Sequence, residues 1–355
     1  MTKGIGIRTY KALVERFGSS EAILDAPRAT LETVPGIGPK LANAIVEESR
    51  NIDIAAEIHL AKEKDVQIIP YTSEQYPKHL KTIYDPPLVL YVKGNILEAD
   101  ILALAIVGAR RCTYYGLSQA ERFGRLLAQK GLCIVSGMAR GIDAAAHRGA
   151  IGSRGRTIAV LGCGLGVMYP RENIELAEQI VQHGAIVSEF PMNTPPDFRN
   201  FPPRNRLISG LSLGVLVVES SLKSGSLITA QWALEQGKEV FAIPGNIDNI
   251  YSRGTHKLIK EGAKLVEDIT DIIQELGPIA DTLNMSDAPI TNDPRSLSLN
   301  SQEKKIFSLL SSSPKDIDEI IRITKLPTSV VSSTLLILEI RKVVKQLSGK
   351  RFVKA

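Results

Sequence analysis

Between residues 102 and 267, short unbroken apolar runs alternate with stretches in which apolar residues recur every three or four positions. The runs predict strands over 102–107, 132–135, 157–161, 185–188, 214–218, 239–243 and 264–266, and the stretches between them predict helices, for example over 116–130 and 226–237. Strands this uniformly apolar are buried on both faces, which is the pattern of a parallel sheet covered by helices on each side. The alternation therefore predicts an α/β fold with a doubly wound parallel sheet. Ligands of such sheets bind beyond the carboxyl ends of the strands, where loops enter helices.

The flanks read differently. Residues 278–299 hold Pro278, Pro289 and Pro294, three aspartates and no periodic apolar face, and predict a linker. Beyond it, Ile306, Phe307, Leu309 and Leu310 mark one helix, Ile317, Ile320 and Ile321 a second, and 330–340 a third. The segments 343–347 and 351–354, joined at Ser348-Gly349-Lys350, predict a basic hairpin. Residues 300–355 thus read as a small winged-helix domain. At the other end, Val34-Pro35-Gly36-Ile37-Gly38-Pro39-Lys40-Leu41-Ala42 is a helix-hairpin-helix pattern. Its glycines shape a hairpin whose N–H groups can meet a DNA phosphate, and Ala42 permits close helix packing. Gly4-Ile5-Gly6 resembles the start of a second, degenerate copy. A hairpin that only joins two helices fits the same residues. The expected domains are 1–60, 61–277 and 300–355, consistent with a chain of 355 residues.

Charge separates these segments further. The net charge of +5 is concentrated in residues 300–355, which carry 11 basic against 5 acidic residues, while residues 1–60 carry 7 against 8. Bulk attraction for nucleic acid is therefore weak at the N-terminus, and in the sheet domain it depends on whether arginines converge. No apolar run approaches 18 residues, so no membrane span is expected, and the charged first residues lack the apolar centre of a signal peptide. Cys112, Cys133 and Cys163 are too few and too scattered for a disulfide framework or a zinc site. The expectation is a cytoplasmic chain with neither metal nor cofactor.

Four strand-to-helix junctions carry the candidate chemistry. They are Val107-Gly108-Ala109-Arg110-Arg111, Ser136-Gly137-Met138-Ala139-Arg140-Gly141-Ile142-Asp143, Phe201-Pro202-Pro203-Arg204-Asn205-Arg206, and Glu219-Ser220-Ser221-Leu222-Lys223-Ser224-Gly225-Ser226. Glycine lets a backbone approach phosphate closely, helix N-terminal N–H groups point at an anion, and arginine adds bidentate contacts. Together the four would form a phosphate-binding row. The competing reading is tight turns with arginines facing water. Gly162-Cys163-Gly164-Leu165-Gly166 has G-x-G-x-G spacing rather than the dinucleotide fingerprint, and no Walker A loop is present. Asp143 and His147 lie one helical turn apart and form a conceivable acid–base pair. The favoured alternative is an N-cap aspartate followed by a surface histidine.

The segments 136–147 (SGMARGIDAAAH), 157–173 (TIAVLGCGLGVMYPREN), 201–212 (FPPRNRLISGLS) and 224–246 (SGSLITAQWALEQGKEVFAIPGN) resemble the DNA-processing protein A (DprA/Smf) family, and the resemblance covers nearly the whole chain. It implies an extended Rossmann-like domain that binds single-stranded DNA and forms a homodimer, together with a helix-hairpin-helix or SAM-like front domain and a C-terminal winged helix. It also implies protection of incoming strands in natural transformation and loading of the RecA recombinase. Ala109 stands where the family usually has Ser, and Arg341-Lys342 replace a common Gly before the wing.

The residues and the resemblance together predict a non-enzymatic single-stranded DNA-binding protein. Its contacts are expected at Gly108, Arg110, Ser136, Gly137, Arg140, Arg204, Arg206, Lys223, Ser224 and Gly225, with no catalytic residue. Two other readings stay open. One is a Rossmann-type nucleotide phosphoribohydrolase, against which Pro244-Gly245-Asn246 stands where a Pro-Gly-Gly-x-Gly-Thr-x-x-Glu loop is wanted. The other is a duplex-DNA regulator acting through the winged helix.

Overall fold

The computed structural model describes residues 4–51, 53–277, 283, 299–311, 313–341 and 343–354. The chain divides into two compact units, Met1–Arg111 with Ala120–Leu283 and Cys112–Gln119 with Asn284–Ala355. Most of the expected linker lies outside the described residues.

The first unit is built on a nine-stranded sheet. In chain order its strands are β1 (Val66–Pro70), β2 (Val89–Gly94), β3 (Ala103–Val107), β4 (Cys133–Ser136), β5 (Thr157–Leu161), β6 (Gly184–Ser188), β7 (Gly214–Val217), β8 (Glu239–Ala242) and β9 (Lys264–Leu265). Their spatial order is β1-β2-β6-β5-β4-β3-β7-β8-β9. From β6 to β9 every neighbouring pair is parallel. The seven expected strands are all present, and β3 to β7 are buried at every position, as their unbroken apolar sequences require. β1 and β2 extend the sheet antiparallel at the β6 edge, so the sheet is mixed. Neither was expected. The β1 burial alternates imperfectly, and residues 71–88 between the two strands hold no tight hairpin signal.

Sequence direction sets the site. The chain steps outward from β3 through β4 and β5 to β6, then returns to lay β7 on the other side of β3. The β3/β7 boundary is therefore the topological switch point, where loops on the two sides diverge and leave a crevice at the carboxyl edge. Alternating side chains fill both faces. Ile158 and Val160 pack with Val135, Val187 and Leu207 on one face. Ala159 and Leu161 pack with Met138, Leu176 and Ile180 on the other. Lys238 closes the end of the Phe201–Gly210 helix by donating to the carbonyls of Ser209, Gly210 and Ser212 at 2.6, 2.8 and 2.5 Å.

The helix-hairpin-helix segment packs as its apolar pattern requires. Leu31, Val34, Ile37, Ala42 and Ile45 form its core, and Gly36 adopts φ +87° in the hairpin, a conformation open to glycine. Ala42 is fully buried between helices. The expected boundary after residue 60 falls inside the helix Ile54–Glu63, whose Glu57 carboxylate accepts the Met192 N–H at 2.8 Å. That helix belongs with the sheet.

In the second unit the helices Ser301–Leu309, Ile317–Thr324 and Thr328–Ile340 bury Ile306, Ile320, Val331, Leu335 and Leu338 against Phe352. Strands β10 (Lys315–Asp316), β11 (Val344–Leu347) and β12 (Arg351–Lys354) pair in the order β10-β12-β11 and form the wing. Part of its positive charge is tied down locally. Lys305 and Lys315 donate to the Thr324 and Leu309 carbonyls, Arg341 pairs with buried Glu303 at 3.1 Å, and Lys354 lies over the Phe307 ring. The outer face of the Thr328–Ile340 helix exposes Ser332, Ser333, Leu336, Ile337 and Ile340, with no base-reading side chain among them. Among the described residues no single helix is long and apolar enough to cross a membrane.

Gly124 and Gly149 bring two helices of the first unit into backbone contact. A Cβ at Gly149 would collide with the Glu121 carbonyl and lie 2.9 Å from the Arg125 nitrogen. Gly149→Ala is expected to lower unfolding stability by about 1–3 kcal/mol, the usual cost of overpacking, in urea denaturation. An unchanged midpoint would show that the helices separate freely.

Candidate nucleic-acid interface

Each parallel strand delivers one loop to the carboxyl edge. After β3, Gly108 carries no side chain because a Cβ there would meet Ile142 at 2.6 Å and the Glu219 carbonyl at 2.8 Å. The Ala109 N–H donates to that same Glu219 oxygen at 2.7 Å, so the β3 and β7 loops are stitched together. After β4, Gly141 has φ +76°, and a Cβ would lie 2.5 Å from the Ala109 carbonyl and 2.7 Å from that of Arg110. Only glycine lets the β4 loop lie this close to the β3 loop. Two adjoining cavities result, of about 160 and about 450 Å³. Both are lined by Arg110, Arg111, Ala139, Phe201 and Arg204, which makes them one continuous groove.

Gly137, Arg140 and Tyr169 line one end, and Gly108, Phe198, Ser224 and Gly225 the other. Arg110 and Arg111 are exposed, and the Arg110 guanidinium sits 4.9 Å from the Phe201 ring centroid. Tyr169 stacks on Phe201 at 5.9 Å, and Phe198 is 79% exposed at the rim. Ser224 caps the Gly225–Glu235 helix, accepting from Ser226 N–H at 3.4 Å, and Lys223 beside it faces solvent. Gly108, Arg110, Gly137, Arg140, Ser224 and Gly225 thus share one groove, with Lys223 next to it. Arg111, Tyr169, Phe198 and Phe201 line it as well. Their clue in the sequence was the aromatics flanking the arginine junctions.

Two expected residues stand elsewhere, and a third lies beneath the groove. The Ser136 hydroxyl is fully buried and donates to the Ile106 carbonyl at 2.6 Å inside the sheet. Arg206 is buried on another face of its helix. Its guanidinium is bidentate on Glu189 at 2.6 and 2.7 Å and donates to the Asp85 carbonyl at 3.0 Å. Arg204 lines the groove but forms its floor. Its Nη1 donates to the carbonyls of Gly137 and Val160, joining the ends of β4 and β5, and its Nε reaches Asn205 at 3.2 Å. Burial lowers its pKa to about 10, against the pull of Asp143.

Asp143 is not the N-cap of its helix. Gly141 takes that position, and Asp143 lies buried in the first turn, where its carboxylate accepts from Ala139 N–H at 3.4 Å and closes the β4 loop. Burial raises its pKa and Arg204 opposes that rise. His147 is likewise no surface residue. It is fully buried, and its Nδ1 lies 2.7 Å from the Thr157 hydroxyl, which itself donates to the Ile134 carbonyl at 2.6 Å. That network assigns the proton to Nδ1. Burial drops the imidazole pKa to about 3. His147 is thus sealed from the groove, whereas Asp143 lines it with its carboxylate engaged by the β4 loop and facing Arg204.

Residues 67–277 match the DNA recombination-mediator protein A family, and a Protein Smf from Synechocystis is 34% identical over 382 aligned positions that cover 99% of this chain and 96% of that protein. The chain belongs to the DNA recombination-mediator protein A family. Residues 291–350 match the DprA winged helix domain, and residues 2–51 the SAM-like helix-hairpin-helix tandem. Two solved structures of DNA processing protein A share the family's fold. The one from Streptococcus pneumoniae superposes with TM-score 0.65 at 37% identity, covering 77% of this chain and 94% of that one. The one from Helicobacter pylori, described for its single-stranded DNA binding mode, gives TM-score 0.54 at 34% identity, covering 59% and 95%. These relatives bear out the family resemblance and the mixed α/β architecture with its two small flanking domains.

Two stability measurements follow for this member of the family. Asp143→Leu leaves the Arg204 cation buried without its counter-charge and is expected to cost about 3–5 kcal/mol in urea denaturation. Asp143→Leu with Arg204→Met is expected to cost less than Asp143→Leu alone, and an equal or larger cost would show that the two charges are uncoupled. For His147 the folded pKa of about 3 lies below the ordinary 6.5. The unfolded chain therefore binds a proton that the folded chain refuses, and stability falls as pH drops from about 6.5 towards 3, by up to about 1.4 kcal/mol per pH unit. His147→Gln is expected to flatten that part of the profile. Parallel profiles would place the imidazole in contact with water.

Proposed function

We propose that the chain binds single-stranded DNA along the groove at the carboxyl edge of its sheet. The observation that carries this reading is the convergence, in one groove at the switch point, of the exposed guanidinium groups of Arg110, Arg111 and Arg140 with the exposed ring of Phe198 and the Tyr169–Phe201 stack. Arginines supply phosphate contacts, and aromatic faces supply stacking platforms that accept any base. A duplex keeps its bases inside and offers those rings nothing to stack on. The binding mode named for the Helicobacter pylori relative supports the same reading.

Within it, Arg110, Arg140 and Lys223 hold phosphates by charge, and Gly108, Ser224 and Gly225 hold them through backbone or hydroxyl donors, while Gly137, whose backbone is engaged by Asp143 and Arg204, shapes the groove wall. Arg204 supports them from below, while Ser136 and Arg206 act through the fold. The role is protective, shielding incoming strands during transformation and passing them to the RecA recombinase, with a homodimer as the working form in the cytoplasm. None of this requires turnover, a metal or a cofactor.

Arg110→Ala with Arg111→Ala is expected to weaken binding of a single-stranded oligonucleotide more than tenfold and to lower the salt slope by about 1.4, or about 0.7 per phosphate contact. Deleting residues 300–355 is expected to weaken binding less, although that segment carries the larger net charge. Binding is measured at several salt concentrations, with a thermal melt for each variant. Tighter binding of a duplex of matched length, or loss of binding only on the deletion, would overturn the assignment.

A further inference from the structure

Arg140 differs from the other groove cations in already having an anion. It lies in the loop after β4, on the groove lining, and its Nε pairs with the Glu172 carboxylate. Both side chains are open to water, 64% exposed for Arg140 and 46% for Glu172. Glu172 belongs to the short turn Arg171–Asn173, which is locked against the same loop. The buried Asn173 side chain donates to the Met138 carbonyl at 2.9 Å, two residues before Arg140. The turn is therefore placed so that the carboxylate reaches the guanidinium, in a position that a phosphate oxygen would need. Among the described residues Arg110 and Arg111 have no ion-pair partner.

We infer that Glu172 is a built-in competitor for DNA phosphate, which occupies Arg140 in the free protein and must be displaced when a strand enters the groove. The inference rests on the groove being the single-strand site. Displacement is cheap because the pair is exposed, so the carboxylate passes into water as the phosphate takes its place. The exchange is reversible for the same reason, and it lowers the net affinity of the groove at one contact without removing the contact. In the free protein Glu172 is charged, and its hydrogen bond to Arg140 holds it below the usual carboxylate range. A protein that must grip a strand and then surrender it gains from one contact whose anion can be swapped. Asp197, beside Phe198, is bidentate on Arg199 and also accepts the Arg199 N–H at 2.8 Å, so its charge is spent within one short turn.

The test is a double-mutant cycle on the full chain with a fluorescent oligothymidylate, read as affinity and salt slope. Glu172→Gln is expected to tighten binding about two- to fivefold, the range an exposed ion pair can hold back, and to steepen the salt slope by up to about 0.7. Arg140→Ala is expected to weaken binding, and Glu172→Gln added to Arg140→Ala is expected to change nothing further. Glu175→Gln, one turn along and outside the pair, controls for bulk charge. Equal tightening by Glu172→Gln in the wild-type and Arg140→Ala backgrounds would overturn the inference, because the effect would then be general repulsion. Weaker binding by Glu172→Gln would also overturn it, by making the carboxylate a support for Arg140. If the wild type itself shows no single-strand binding, the groove assignment fails first, and the cycle reports that separately.

Discussion

The groove depends on a buried guanidinium. Arg204 sits beneath it and spends its donors on carbonyls of Gly137 and Val160, at the ends of two neighbouring strands. A cation placed there is stable only because its hydrogen bonds are used and Asp143 supplies the opposing charge. That pairing in turn sets the β4 loop, since the Asp143 carboxylate accepts the Ala139 N–H. Arg140, at the tip of the same loop, is thereby aimed over the groove. One interior ion thus positions a surface one, and the floor and the lip cannot be altered independently.

The same constraint explains the glycines. Loops from β3, β4 and β7 must pass within backbone contact of one another to bring their tips to one crevice. Gly108 and Gly141 stand where any Cβ would strike a carbonyl of the neighbouring loop. What looks in sequence like a set of phosphate-binding glycines is first a packing device. Its functional consequence is indirect: by closing the loops at their bases it spreads Arg110, Arg111 and Arg140 along the rim, with Phe198, Phe201 and Tyr169 between them. A row of cations interleaved with aromatic faces suits a flexible polyanion with exposed bases.

The sheet was legible from β3 onward because strands buried on both faces have sequences that nothing else explains. β1 and β2 escaped notice because an antiparallel pair with mixed burial carries a weaker signal. The site was legible as a set of loops and less so as a set of side chains. Arg204 and Arg206 are two residues apart on one helix, and no periodicity separates a groove floor from an ion pair with Glu189 on another face. Both directions are buried, so the helix has no polar face to read. Ser136, Asp143 and His147 misled for a related reason. Ser136 and Asp143 are satisfied inside the fold, by the Ile106 carbonyl and the Ala139 N–H, while His147 is bonded at Nδ1 to the Thr157 hydroxyl and its Nε2 is buried without a partner among the described residues. Sequence alone does not show that the Ser136 hydroxyl is spent inside the sheet, that Asp143 closes a loop from within the first turn rather than from the N-cap, or that His147 is sealed from water.

The central claim is that one groove on the sheet edge, rather than the basic tail, meets the strand. Photo-crosslinking of the full chain to a single strand carrying a photoreactive thymidine, followed by mapping of the adducts, addresses it most directly. The account predicts adducts at Tyr169, Phe198 and Phe201, the rings within reach of an unstacked base. Adducts confined to the wing, residues 344–354, with none at the groove, would contradict it.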